Sequence, residues 1–462
     1  MVSLEFLYFF LPVFMGIYAV AGVRLRKTVF LIACAALCAW RSPWCILPMA
    51  ACTVVSYVCG RLINRFESKA ALKRLWLVLA LTMDTAVLLV FIRNGSYDIT
   101  SLFTGKGAVL KLIPVWGAGV FTLHGISYCI DIFRGDIEPE KNFLLLAQYV
   151  CFFPCFSCGP ILRYNDICSQ LRKPLVTSDK LAYGIKLLLV GYAEKLFLSD
   201  SMYEIWQHIS EVSADSLSTA CAWLGMIAFS FAFYYELRAY SHIAIGLGSM
   251  LGFELPENFD LPFMSAGFNE FIKRFACTLY SWVRDYFYLP LCRNKRDGVC
   301  LWALLLSVLA ASLWYGFGRH TMLWAVFVCL MLGVEYLLKK ILAAVPMWIR
   351  CAVMNFFFLI GLPFLSIGDI SAACGYVAAM FGGGSFAGDV LALYVIKTGA
   401  VMFLICGFFA TGISRAIKHK ITQLNTNIVY IVEPMLTIGF LLLCTAFLVG
   451  GGGHSDMNLF MR

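Results

Sequence analysis

Long apolar stretches alternate with short polar segments along almost the whole chain. Most of these stretches approach the length of about 20 residues that a helix needs to cross the hydrocarbon core of a bilayer. The pattern therefore predicts about eleven to fourteen helical passages, some of them short and kinked. The predicted passages are residues 4–23, 28–40, 44–60, 75–92, 109–132, 143–161, 181–198, 217–235, 242–253, 299–314, 322–338, 348–367, 390–409 and 428–449.

The composition excludes an ordinary soluble enzyme. Hydrophobic residues make up 61% of the 462 positions and charged residues only 14%, whereas a soluble domain averages about 25% charged residues. So much apolar surface must face lipid. We find neither a repeat at a solenoid period nor a polar linker long enough to join separate domains. The sequence predicts an all-α, polytopic integral membrane protein whose residues 1–462 form a single membrane domain.

The charged residues are 36 basic and 27 acidic, which gives a formal net charge of +9. The basic residues lie in short clusters between apolar runs, such as Arg24 to Lys27 and Arg61 to Arg74. This distribution excludes nucleic acid as a partner and indicates loops that face anionic membrane lipid. The positive-inside rule then predicts a multi-pass protein of the cell membrane with its amino terminus outside and an uncleaved first helix.

The cysteine pattern does not predict disulfides or a metal centre. Most of the 19 cysteines lie inside apolar stretches, where a thiol is a small packing residue. Cys155 and Cys158 form one isolated CxxC pair, without a second pair or a histidine at ligand spacing. We therefore expect no bound metal and no bound cofactor.

Ionisable residues next to apolar passages are the first functional candidates, because in lipid they must face protein or a water-filled cavity. One such zone contains Asp131 and Arg134 and continues to Gly159, Pro160 and Arg163. The Gly-Pro step predicts a re-entrant turn with Arg163 at its mouth. Another zone, residues 312–320, is interpreted either as a site at a helix turn or as a loop with interfacial aromatic residues.

The densest zone, residues 236–294, includes an apolar stripe at helical spacing over residues 269–288. This stripe predicts one amphipathic helix that lies in or near the membrane interface. The adjacent Arg284 and Asp285 leave two alternatives open: a structural pair on a membrane-anchoring helix, or a pair that lines a polar cavity.

Several short blocks, in this order and spacing, resemble the membrane-bound O-acyltransferase family, and in particular the bacterial branch of alginate O-acetylation and teichoic acid D-alanylation. The blocks are Gly125–Tyr128, Asp131, Arg134, Phe153–Pro154, Gly159–Ile161, Arg163–Tyr164, Tyr240–Ser241, Ala244–Gly248, Gly252–Phe253, Pro256–Phe259, Arg284–Tyr286, Tyr288, Pro290–Leu291, Leu313–Trp314, Gly316 and Leu323–Trp324. The resemblance implies roughly eleven spans and re-entrant segments around a central funnel. It also implies an acyl-thioester donor on the cytoplasmic side and an acceptor that is met across the membrane.

The chain departs from the family pattern at the position that the resemblance marks as catalytic. Tyr315 stands where the family has a histidine in a Leu-Trp-His-Gly context, and a phenol, with an ordinary pKa of about 10, is a poor general base. Ala276, and Val328 or Cys329, occupy two further positions where the bacterial branch commonly has histidines. The candidate catalytic residues are therefore Tyr315, His320 and Asp285.

The resemblance also implies a set of substrate-binding candidates and a set of partners. The binding candidates are Arg163, Asn258, Arg274, Arg284 and Trp314. Acyl-CoA or another acyl thioester is the expected donor substrate, and the other partners are membrane lipid and an extracytoplasmic acceptor or relay protein. His124 and His242 remain either replacement bases or buried, hydrogen-bonded side chains.

Two functions remain open at this point. The first is O-acyl transfer, with acetyl as the expected group, from a thioester to a hydroxyl of a cell-surface polysaccharide or of a relay partner. The alternative is a catalytically inactive relative that serves as a membrane scaffold, binding subunit or conduit. A secondary transporter ranks last, because the sequence shows no pair of matching halves with broken helices.

Overall fold

Helices account for nearly all of the described chain, so the predicted all-α membrane fold is confirmed. The computed structural model describes residues 1–41, 45–92, 96–97, 110–111, 117–213, 216–292, 301–313, 319–382, 390–414, 417, 420 and 426–450. Four helices in these ranges are long and apolar enough to cross a membrane: Ile46–Arg65, Thr219–Met250, Met347–Ser366 and Val390–Ala410. The total of roughly eleven spans around a funnel stays a prediction.

The chain divides into two compact units. Within the described residues, the first contains Met1–Leu188 and Ile243–Pro256, and the second contains Leu189–His242 and the chain from Glu257 to Gly450. The elements up to Ala193 are a π-helical turn at Phe6–Phe10, α1 (Leu11–Val20), α2 (Val23–Arg41), α3 (Ile46–Arg65), α4 (Ala70–Ile92), α5 (Ala118–Arg134), α6 (Phe143–Val150), a 3-10 turn at Phe153–Cys155, α7 (Tyr164–Arg172) and α8 (Ser178–Ala193). A two-residue strand pair, β1 (Ser96–Tyr97) with β2 (Leu110–Lys111), is antiparallel.

The later elements begin with a π-helical segment, Glu194–Ser199, that directly continues α8. They are α9 (Asp200–Ser210), α10 (Thr219–Met250), a 3-10 turn at Pro262–Met264, α11 (Phe268–Phe275), α12 (Cys277–Val283), a π-helical segment at Arg284–Tyr288, α13 (Leu289–Leu291), α14 (Leu301–Leu313), α15 (Arg319–Leu337), α16 (Lys339–Ala343), α17 (Met347–Gly361), α18 (Pro363–Ser366), α19 (Ile370–Met380), α20 (Val390–Ala410) and α21 (Thr426–Val449).

In the first unit, α3, α4 and α5 pack closely because a glycine lies at each of two contacts between them. A Cβ at Gly60 would lie 2.9 Å from the side chains of Ile132 and Tyr128, and one at Gly125 would lie 2.6 Å from Oγ of Ser56. Asp84 of α4 is fully buried at this contact. The close approach of the helices therefore depends on glycine at these two positions.

The predicted passage over residues 143–161 is a short buried helix followed by irregular backbone. The helix α6 has eight residues and spans about 12 Å, which is too short to cross a bilayer. Buried side chains bind the irregular backbone: Nε2 of His124 accepts from the N–H of Leu162 at 3.1 Å, and the hydroxyl of Tyr149 donates to the carbonyl of Leu162 at 3.0 Å. Non-helical backbone at membrane depth requires such protein partners.

The residues that the sequence left unassigned between one predicted passage and its continuation are helical as well. The passages predicted over residues 217–235 and 242–253 form one continuous helix, α10, of 32 residues. Its charged residues do not interrupt it, because Glu236, Arg238 and His242 form ion pairs with side chains at Glu194 and Lys195.

Conversely, the single amphipathic helix predicted over residues 269–288 is broken at Ala276, which has an extended φ of −151°. Asn258 stabilises the break. Its backbone carbonyl accepts from the N–H of Cys277 at 2.9 Å, and its side-chain oxygen accepts from the N–H and the hydroxyl of Thr278 at 3.1 and 2.7 Å. The groups that leave the helical pattern are therefore satisfied by one asparagine.

Candidate functional site

The second unit contains a cavity of about 600 Å³ between α11, α12, α14, α15 and α17. Its walls are mostly apolar and aromatic. The aromatic residues that line it are Phe233, Phe268, Phe271, Phe275, Tyr280, Tyr288, Trp324, Tyr336 and Phe358. A volume of this size lies in the range of small-molecule and cofactor sites, so this is the strongest candidate site in the described chain.

One end of the cavity is apolar. Trp324 of α15 packs edge-on against Phe358 of α17, with ring centroids 5.9 Å apart, and Phe358 contacts Phe271 of α11 at 4.5 Å. Val328 lies one helical turn after Trp324 and lines the same wall. Phe358 and Phe271 are almost completely buried, so this end excludes water.

The other end carries charge. Tyr336 lies twelve positions after Trp324 in α15, or about 18 Å further along the helix axis. Beyond it, Lys339 lines the cavity, and Arg350 lines it from the first turn of α17. We call this part, with Glu335, Tyr336, Lys339 and Arg350, the charged end.

Cations outnumber anions in the lining. Lys273, Arg284, Lys339 and Arg350 face a single lining carboxylate, Glu335. Glu335 accepts the backbone N–H of Asn269 at 3.0 Å and thereby fixes the start of α11. The Nε of Arg350 is buried without a hydrogen-bond acceptor among the described residues. Because a buried guanidinium nitrogen needs an acceptor, the charged end is suited to an anionic ligand.

Arg284 and Asp285 form the ion pair that the sequence left with two interpretations. Nε of Arg284 lies 2.6 Å from Oδ1 of Asp285, and the two side chains are 48% and 16% exposed. Arg284 lines the cavity, so the pair is located at the site. The carboxylate reduces the net positive charge that Arg284 presents to a ligand.

The other predicted site residues divide between this region and elsewhere. Arg274 pairs with Glu270 one turn earlier, at 2.6 Å, and the two residues flank the lining on α11. Asn258 is buried and holds the break at Ala276. Arg163 precedes α7 in the first unit. Tyr315 and Trp314 lie outside the described residues, and so does the side chain of His320.

Sequence reasoning missed Lys273, Lys339 and Arg350. These three residues form no sequence motif, because they belong to three different helices. Only the fold brings them to one cavity. The available signal was the cluster of Lys339, Lys340 and Arg350 at the ends of two apolar passages, which a snorkelling interpretation explains equally well.

Sequence reasoning also missed a buried ionic network in the second unit. Glu194 pairs with Arg238 at 3.2 Å and with Nδ1 of His242 at 2.7 Å. The next residue, Lys195, pairs with Asp200 and, at 2.9 Å, with Glu236. Ser199 donates to Glu236 at 3.0 Å. None of these residues lines the cavity, so the network holds the π-helical segment against α10 at a separate place.

The described histidines do not provide a base at the cavity. His124 is fully buried, and both its ring nitrogens are engaged, with the carbonyl of Tyr149 at 3.1 Å and with the N–H of Leu162. His242 belongs to the ionic network. Among the described lining residues there is no histidine. Ala276, where the resemblance implied one histidine, lines the cavity, and so does Val328, which with Cys329 was one of two alternatives for a second.

The model of the membrane-bound O-acyltransferase family matches residues 140–378, a range that includes all of the described cavity lining. A probable alginate O-acetylase of Pseudomonas aeruginosa is 33% identical over 339 residues, which are 71% of this chain and 64% of that protein. The chain thus spans just under two thirds of that relative.

Two further relatives define the range of similarity. A probable alginate O-acetylase of Azotobacter vinelandii is 31% identical over 391 residues, which are 82% of this chain and 78% of that protein. The teichoic acid D-alanyltransferase of Bacillus subtilis is 24% identical over 183 residues, 39% of this chain and 46% of that protein. The family resemblance is therefore confirmed: the chain belongs to the membrane-bound O-acyltransferase family.

Proposed function

We propose that this membrane protein transfers an acyl group, with acetyl as the first candidate, from a thioester donor to a hydroxyl of a cell-surface polysaccharide or of a relay protein. The observation that carries the proposal is the cavity with a charged end and an apolar end inside the region that matches the family. The relatives that share this region are named as alginate O-acetylases and a teichoic acid D-alanyltransferase.

The cavity is proposed as the donor site. The phosphates of an acyl-CoA, or of a carrier-bound thioester, would lie at Lys339 and Arg350, with Lys273 and Arg284 as further cations. The thioester arm would then extend about 18 Å along α15 to the apolar end. Water exclusion there protects a thioester from hydrolysis.

The reaction needs a base. The acceptor hydroxyl attacks the thioester carbonyl, a C–O bond forms, the C–S bond breaks, and the hydroxyl proton is passed to the leaving thiolate. His320, Asp285 or a group on the partner is proposed to move this proton, and Tyr315 is proposed to act on the substrates at the position of the family histidine. Trp314, Asn258, Arg274 and Arg163 are proposed to position the substrates.

A second function is a binding subunit or scaffold without turnover. It is favoured by one observation, the presence of Ala276 and Val328 in the lining where acid–base side chains were expected. The two functions share the donor cavity and differ in whether the C–S bond is broken.

The first test is acetyl-CoA turnover and binding by the purified protein in lipid nanodiscs. The variant Arg350→Gln should weaken binding of CoA about tenfold, because it removes a charge-assisted contact, while Lys173→Gln on an exposed loop serves as the matched control. Turnover by the unchanged protein supports transfer. Binding without turnover, combined with turnover by Tyr315→His, supports the scaffold. Absence of CoA binding would refute the donor site.

We also propose that residues 1–462 act as one membrane-embedded unit with the amino terminus outside, and that the acceptor is met on the extracytoplasmic side. The basic clusters support this orientation. A cysteine-accessibility assay from each side of sealed vesicles tests it.

A further inference from the structure

The charged end of the cavity has the composition of a membrane interface. Tyr336 is 47% exposed and Trp348, just after the α16 turn, is 73% exposed. Lys339 and Lys340 lie between them and are exposed. Aromatic residues and cations concentrate at the level of the lipid headgroups, so the charged end has the composition expected beside phospholipid phosphates.

The apolar end has the composition of a site for hydrocarbon. Trp324, Val328 and Phe358 line it, and the neighbouring hydroxyl of Ser307 is already committed to the carbonyl of Ala303 at 2.7 Å. An alkyl chain fits such walls without leaving a polar group unsatisfied.

The dimensions agree with one acyl chain. The distance from Trp324 to Tyr336 along α15 is about 18 Å. A carbon–carbon bond of about 1.5 Å advances an extended chain by about 1.25 Å per methylene. The cavity therefore has the length of a chain of about 14 carbons.

The cavity is also open to the surface. Two of its lining residues are partly exposed: the exposed fraction is 52% for Leu289 and 47% for Tyr336. An exposed apolar residue in the lining provides an entry for a lipid chain from the bilayer.

We propose that the cavity takes one acyl chain of an anionic membrane phospholipid, with the lipid phosphate at Lys339 and Arg350 and the chain directed to Trp324. The inference rests on the proposed function in one respect, since the lipid would compete with the thioester donor for the same cations. The charge of the inner leaflet would thereby regulate access of the donor.

The test uses phosphatidic acid that carries a diazirine near the end of one acyl chain, at low fraction in phosphatidylcholine nanodiscs that hold the full-length protein. Illumination should label peptides around Trp324 and Phe358. The same diazirine on phosphatidylcholine should label them at least fivefold less, because its choline neutralises the phosphate and one net negative charge at a cation is worth about fivefold. The variants Lys339→Gln and Arg350→Gln should each reduce labelling by phosphatidic acid about fivefold.

Lys173→Gln is the matched control and should leave labelling unchanged. Val328→Trp fills the apolar end and should abolish labelling around Phe358, while size-exclusion profiles report whether each variant folds. Equal labelling by both lipids, or labelling only of exposed faces such as those around Leu436 and Leu442, would overturn the inference.

Adding CoA separates this inference from the proposed function. Displacement of the label by CoA supports both. Labelling that CoA does not displace, with no CoA binding by equilibrium dialysis, supports the lipid site and refutes the donor site. CoA binding without headgroup-dependent labelling refutes the lipid site alone.

Discussion

Nδ1 of His242 lies 2.7 Å from Oε2 of Glu194, and the other oxygen of that carboxylate lies 3.2 Å from Nε of Arg238. Glu194 belongs to the π-helical segment and the other two residues to α10. One buried carboxylate thus binds two cation-capable side chains from successive turns of the same helix. This relationship explains why α10 continues through a stretch that is rich in ionisable residues.

Replacing Glu194 by Gln should destabilise the protein by about 3–5 kcal/mol, because Arg238 would remain buried without its carboxylate. The measurement is thermal unfolding in nanodiscs of fixed composition. Glu211→Gln, at the exposed end of α9, is the matched control and should change stability by less than about 0.5 kcal/mol. Equal stability of the two variants would show that the network contributes little.

The variant Gly125→Ala should separate α3 and α4 from α5. The new Cβ would lie 2.6 Å from Oγ of Ser56 and 2.7 Å from Oδ2 of Asp84, which is a clash that should cost about 1–3 kcal/mol. Gly16→Ala in α1 has no heavy atom within 4 Å of its new Cβ and should be neutral or slightly stabilising. Unfolding of both variants in the same nanodiscs measures the difference, and a loss equal for both would contradict the packing argument.

Asn258→Ala should loosen the break between α11 and α12, because the N–H and hydroxyl of Thr278 would lose their acceptor. A loss of about 1–3 kcal/mol is expected from a buried donor left unsatisfied. CoA binding should weaken in parallel, since both helices line the cavity. Asn355→Ala, whose amide donates to Phe263 and Cys351 instead, is the comparison variant. Its unfolding should change while its CoA binding stays closer to that of the unchanged protein.

Glu140 should make the stability of the protein vary with pH in the acid range. Burial raises the pKa of its carboxyl, but hydrogen bonds from the Tyr164 hydroxyl, the N–H of Asn142 and Arg172 outweigh burial and lower the pKa below 4.5. A depressed pKa in the folded protein stabilises it above the unfolded pKa, and this contribution is lost as the pH falls through the folded value.

The matched comparison is Glu140→Gln. The unchanged protein should be the more stable of the two at pH 7, and the difference should shrink as the pH is lowered below about 4.5. Unfolding midpoints at several pH values measure this trend. A difference that is constant from pH 7 to pH 3 would contradict the ionic interpretation.

Much of the outline of the fold was readable in the sequence. Apolar length identified helices such as Val390–Ala410 within a residue or so of their observed ends, because a helix in lipid must satisfy its backbone internally over a fixed thickness. The continuity of α10 over residues 236–241 and the break at Ala276 were not readable. They depend on Glu194 and Asn258, partners that lie far away in the sequence.

The sequence by itself determined that this is a helical membrane protein surrounded by lipid and to which family it belongs. Composition, the length of the apolar stretches and the order of the family blocks are all properties of the linear chain. The tertiary structure alone decided where the candidate site lies. One cavity is lined by Lys339, Arg350 and Trp324 only because three helices pack together. The periodicity of a single helix does not encode its contacts with other helices. The same physical reason separates His124 from catalysis: only the fold commits both of its ring nitrogens to distant backbone groups.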